Sequence, residues 1–168
     1  MRVAILFGVA TLIALTIQTS IPLWLPIRSL APNLIVVLAV DLGMRNHSAA
    51  AVAVAFAMGY ATDAVAGVHL GLNALLMTVI YFLGYELSSR LLVANVFVAS
   101  LLVFAGVLFT GLSAVAVDAW ANAGDAIFAN FSTLTLQALI SALLAPLVFR
   151  MLSRGRKIVG LPDKAERE

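Results

Sequence analysis

The sequence predicts an all-α integral membrane protein, a bundle of six transmembrane helices, and three observations carry that prediction. Hydrophobic residues make up 63% of the 168-residue chain and charged ones 11%, with a mean hydropathy of +1.10. Soluble domains sit near ~45–50% apolar and ~25% charged, and a chain this small has too much surface to hide such an excess from water. The apolar residues also fall in runs close to the ~20 that cross a bilayer core as a helix. Finally, the cations are segregated toward one side once six crossings are drawn, as a membrane requires.

The first run, Val3 to Ile21, is uncharged and ends at Pro22 and Pro26. Arg2 ahead of an apolar run also suits a signal peptide. The run is long, however, and no small-x-small cleavage site follows, so an uncleaved first helix is expected. A second helix is expected from near Ser29 to Met44, with Pro32 in its first turn, where a missing N–H costs nothing. The third runs Ser48 to Val65 and is mostly alanine. A turn at Gly67 to Gly71 leads to the fourth, from about Leu70 to Ser88. The fifth spans Asn95 to Val117 and the sixth Ser132 to Leu152, the longest spacer being about Asp118 to Phe131.

Residues 1–152 thus form a transmembrane domain, and 153–168 a short basic tail with Arg154, Arg156 and Lys157 among Gly155, Gly160 and Pro162. The tail reads mainly as a lipid and topology anchor, since each basic residue beside an anionic leaflet gains ~1 kcal/mol. Docking of a cytoplasmic partner is the other reading. With the N-terminus cytoplasmic, six crossings return the C-terminus there too. Arg2, Arg45, Arg90, Arg150, Arg154, Arg156, Lys157, Lys164 and Arg167 then lie inside, and only Arg28 outside. That is the asymmetry of the positive-inside rule.

Polar groups inside apolar spans are costly there and frequently functional. Asp41 lies one turn before Arg45, the spacing of a simple intrahelical ion pair. Asp63 has no cation within a turn. A lone carboxylate at mid-bilayer costs ~2.5–3.5 kcal/mol, so it must find a partner, accept N–H bonds or carry a proton. It opens the run Asp63-Ala-Val-Ala-Gly67-Val-His69-Leu-Gly71-Leu-Asn73. Gly67 suits a left-handed C-cap, Gly71 a close helix start, and Asn73 or Arg28 could meet the carboxylate. Two readings stand: a polar cluster that fixes the turn, or contact with a ligand or partner. In the same helix Ala51, Ala55, Gly59 and Asp63 recur every four residues, beside a stripe of Ala49, Ala53, Ala57 and Ala61. Small residues at this spacing let helices approach closely in lipid, which places the third helix at the centre of the bundle. The spacing leaves open association with another chain, a second copy included.

Nothing in the sequence points to catalysis. There is no cysteine, no glycine-flanked serine, no His-Glu-x-x-His and no phosphate loop. His47 and His69 fall at opposite membrane faces, as do Asp41 and Asp63. Glu86 and Arg90 form a plain i,i+4 surface pair. Pro146 has no counterpart in the third helix, so the broken-helix pattern of secondary transporters is missing. No enzyme activity, metal, cofactor or nucleic-acid partner is expected.

Three features together resemble the rod shape-determining MreD family of bacterial inner-membrane proteins. These are the Pro32-Asn33-Leu34-Ile35-Val36-Val37 opening of the second helix, the intramembrane Asp63 with Gly67, and the Gly71-Leu72-Asn73-Ala74 start of the fourth. Size and short loops agree over nearly the whole chain. The position after Pro32 is acidic in many relatives and Asn33 here, which puts a charge-dependent role at that position in doubt. The resemblance implies a non-enzymatic subunit of the rod elongation machinery. Its direct partner would be the single-span MreC, with MreB, RodA and the transpeptidase of RodA reached indirectly. It also implies a fold similar to the substrate-binding subunits of energy-coupling-factor transporters. A small-molecule binding subunit of a vitamin-type transporter, using Trp24, Trp120 and Asp118, is the alternative.

Overall fold

Apolar segments in lipid become helices because no water is present to pair their backbone N–H and C=O groups. The computed structural model describes residues 2–24, 31–67, 71–90, 96–122 and 131–159. They form six helices: α1 (Arg2–Trp24), α2 (Leu34–Arg45), α3 (Ala49–Ala66), α4 (Leu72–Arg90), α5 (Val96–Asn122) and α6 (Phe131–Val159). Five of them are long and apolar enough to cross a membrane, and α2 is not. The all-helical, multi-pass character is as expected, whereas the expectation of six full spans is corrected at α2.

The reason lies at Pro32 and Asn33. A helix at membrane depth can begin only where its unpaired N–H groups find other acceptors. Asn33 supplies one, its Oδ1 accepting from the Val36 N–H at 3.3 Å. The extended residues before it have carbonyls to satisfy, and side chains of α1 and α6 do so. Gln18 Nε2 donates to the Pro32 carbonyl at 2.8 Å, and Gln137 Nε2 to the Ala31 carbonyl at 2.8 Å. Ser141 Oγ accepts from the Asn33 N–H at 2.9 Å. Residues 31–33 therefore do not extend α2 backward, and Pro32 precedes the cap rather than sitting in the first turn. The expected start near Ser29 lies outside the described residues.

At 12 residues α2 is about 18 Å long, well short of the ~30 Å hydrocarbon core. Every residue from Ile35 to Met44 is buried, and α2 touches all five other helices. It is the axis of the bundle, which corrects the expectation that α3 is central. Its C-terminal carbonyls are met by α4: Ser88 Oγ donates to Met44 O and the Tyr81 hydroxyl to Asn46 O, both at 2.8 Å. α4 comes this close because Gly43 has no side chain; a Cβ there would overlap the Tyr81 carbonyl.

α3 packs beside α4 on the stripe of Ala51, Ala55, Gly59 and Asp63, all buried. A Cβ on Gly59 would overlap the Asn73 carbonyl and the Ala74 Cα. The second stripe behaves differently, since Ala49, Ala53 and Ala57 face outward. α5 and α6 form a separate hairpin against α2. α6 continues seven residues beyond the expected end at Leu152, so the first half of the predicted tail is helix. α1 likewise runs through Pro22 to Trp24.

Gly59→Leu is expected to destabilise the protein by about 1–3 kcal/mol through overpacking, whereas Ala57→Leu, one face round the same helix, should be near neutral. Melting temperatures of the two variants in detergent check this, and equal values would contradict the packing of α3 on α4.

Candidate functional site

Asp63 is buried at the far end of α3, on the stripe that meets α4. Gly67 ends the helix in the left-handed conformation (φ 68°), its N–H donating to the Asp63 carbonyl at 2.9 Å. Gly71, at φ 96°, turns the chain into α4. The carboxylate then closes the start of α4. Oδ2 accepts from the N–H groups of Gly71 (2.9 Å) and Ala74 (3.1 Å). Oδ1 accepts from the Asn73 N–H (3.1 Å) and from Asn73 Nδ2 (2.9 Å). Three of those donors are the orphan N–H groups of a helix start, where the helix dipole also favours a negative charge. Hydrogen bonds to a charged group contribute ~1.5–3 kcal/mol each, enough to offset the cost of burying this carboxylate. Arg28, the other expected mate, lies outside the described residues.

The second buried carboxylate is Asp41, near the opposite, basic end. Arg45 Nε donates to its Oδ1 at 2.8 Å, the expected pair. Oδ2 is taken by Nη2 of Arg156 from α6, and Arg156 is itself 4% exposed. The Arg156 guanidinium also lies over the Phe7 ring of α1, 5.6 Å from its centroid. Asp41 therefore joins α2, α6 and α1 rather than serving as a purely intrahelical partner. Arg156 is withdrawn from the lipid-anchoring set, which leaves Arg154 and Lys157 exposed on the same segment.

The family model for the rod shape-determining protein MreD matches residues 1–154. The chain belongs to the MreD family. No curated protein and no solved structure matches it. Energy-coupling-factor subunits therefore find no counterpart among the comparisons. What the MreD match covers is the whole bundle up to the last turns of α6, including both carboxylates and the Pro32–Asn33 break. The family is described by cell shape and not by a reaction.

Among the described residues no three His, Asp or Glu side chains gather where they could hold a metal ion. His47 packs edge-on against Tyr85 at 4.6 Å. Glu86 and Arg90 pair on the surface at 2.6 Å. Trp120 is 92% exposed, while His69 and the side chains of Trp24 and Asp118 lie outside the described residues. Sequence reasoning missed Gln18, Gln137, Ser141 and Arg156. The signal for two of them was present, because Gln137 and Ser141 are the polar residues of the otherwise apolar stretch 136–149, one turn apart.

For this MreD-family chain, Asp63→Asn turns an acceptor-only group into one whose NH2 opposes the α4 donors. It is expected to cost about 2–3 kcal/mol, and Asn73→Ala, which removes one bond of four, about 1 kcal/mol. Thermal unfolding in detergent measures both. A smaller loss in Asp63→Asn than in Asn73→Ala would contradict the capping role.

Proposed function

We propose that the protein is a non-enzymatic membrane subunit of the rod elongation complex, binding a single-span MreC-type protein through faces exposed to lipid. The family match over residues 1–154 is the observation that carries this reading. The packing supports it: the buried carboxylates Asp63 and Asp41 and the half-buried Gln18 and Gln137 are engaged in holding helices together. The stripe of Ala49, Ala53 and Ala57, by contrast, is exposed among the described residues. A smooth small-residue face in lipid suits close contact with a helix from another chain. Through MreC the subunit connects indirectly with MreB inside and with RodA and its transpeptidase outside. With α2 and the extended residues 31–33 together returning the chain between α1 and α3, it sits in the inner membrane with both termini cytoplasmic, by the positive-inside rule.

Depleting the protein is expected to leave cells rounded, with MreC no longer co-purifying with the wall-synthesis proteins. Truncation after Val159 should preserve rod shape. Truncation after Leu152 should not, because it removes Arg156 and with it the pairing of α6 with Asp41. Cells that stay rod-shaped on depletion but require a supplied vitamin would overturn the reading in favour of a transporter subunit. Equal phenotypes for the two truncations would remove the role given to Arg156.

A further inference from the structure

A cleft of about 360 Å³ opens at the α3–α4 turn end of the bundle, between the starts of α2, α4 and α6 and the later turns of α5. We propose that it binds an uncharged group rich in hydroxyl or amide functions, about the size of a monosaccharide.

The fold has already used one half of each amide side chain that lines the cleft. Asn73 spends its Nδ2 on Asp63, so its Oδ1 is left as an acceptor. Gln137 spends its Nε2 on the Ala31 carbonyl, leaving Oε1. Asn33 spends Oδ1 on the Val36 N–H, leaving its Nδ2 as a donor. These amide orientations follow from chemistry, since a carboxylate and a carbonyl can only accept and an N–H can only donate. The Thr133 hydroxyl makes no bond among the described residues, and Thr110, which donates to the Val107 carbonyl, can still accept. The cleft thus offers two amide acceptors, one amide donor and two hydroxyls from four helices.

Among the described residues no ionised side chain lines it. Asp63, the nearest carboxylate in the turn, is closed off by its four donors. A charged ligand would lose its hydration without gaining a counter-charge, and an apolar one would strand the polar atoms. A neutral group carrying both donors and acceptors meets both constraints, and Val115 and Leu134 can cover its C–H faces. The volume lies within the ~300–1,000 Å³ usual for small-molecule sites. The same chemistry could arrive as a free solute or as the headgroup of an amphiphile.

The test uses the full chain in phospholipid nanodiscs, free of sugar-based detergents that would compete. The probes are N-acetylglucosamine, its octyl glycoside, and glucose 6-phosphate as the charged control, with calorimetry as the readout. The neutral probes should bind saturably and at least tenfold more tightly than the phosphate. Thr133→Val should weaken them at least fivefold, and Ala114→Phe, which fills the cleft, should abolish binding while the melting temperature stays at the wild-type value. Should Ala114→Phe melt lower, Thr133→Val decides alone. Tighter binding of the octyl glycoside assigns the headgroup source, and equal binding the free solute. The proposal is overturned if neither neutral probe binds saturably, if the phosphate binds as tightly, or if Thr133→Val leaves binding unchanged.

Discussion

A buried backbone polar group has no water to fall back on inside a bilayer, and that constraint decides the shape of this protein. It falls hardest on α2, a helix too short to span, placed where every other helix touches it. Both of its ends lie within the bundle, so its unpaired N–H and C=O groups must be met by side chains borrowed from elsewhere. Gln18, Gln137 and Ser141 meet one end, and Tyr81 and Ser88 the other. Asp41 then ties the helix to α6 through Arg156. Once α2 is held in this way, α4 can lie against Gly43, α3 against α4, and the α5–α6 hairpin against the remaining face.

The two carboxylates solve one problem by different means. Asp63 is neutralised by dipoles, the N–H groups at the start of α4, and it needs no cation. Asp41 is neutralised by cations drawn from a segment rich in them. Both are spent on joining elements: Asp63 fixes the turn between α3 and α4, and Asp41 closes the contact between the second helix and the last. The fold leaves the alanine face of α3 outward while burying the neighbouring glycine-containing one.

Hydropathy made most of the helices legible, because lipid leaves an apolar run few alternatives. The Asp63–Asn73 pairing was legible as well, since both residues and both turn glycines lie within eleven positions of one another. The partners of α2 were not. Arg156 is 115 residues from Asp41 and Gln137 is 106 from Ala31, and no local spacing connects such pairs. Reading Arg156 from its neighbours made it one more tail cation, and reading Pro32 from its neighbours put it inside a helix. In both cases tertiary pairing overrode local pattern, as it does wherever a buried group must be satisfied. The alanine-rich composition of α3 suggested a central helix for a similar reason: small residues mark close approach, but they do not say to how many neighbours.

The most direct test of this account is the thermal stability of Gln18→Met and Gln137→Met in lipid nanodiscs. Both changes keep volume and helix propensity while removing the side-chain amide that donates to the carbonyl. The account predicts that Gln137→Met leaves the Ala31 carbonyl without its donor and lowers stability by about 1–3 kcal/mol, and that Gln18→Met, which leaves the Pro32 carbonyl only the Leu34 N–H, lowers it by less. If both variants melt at the wild-type temperature, the start of α2 does not depend on borrowed side chains, and the central claim fails.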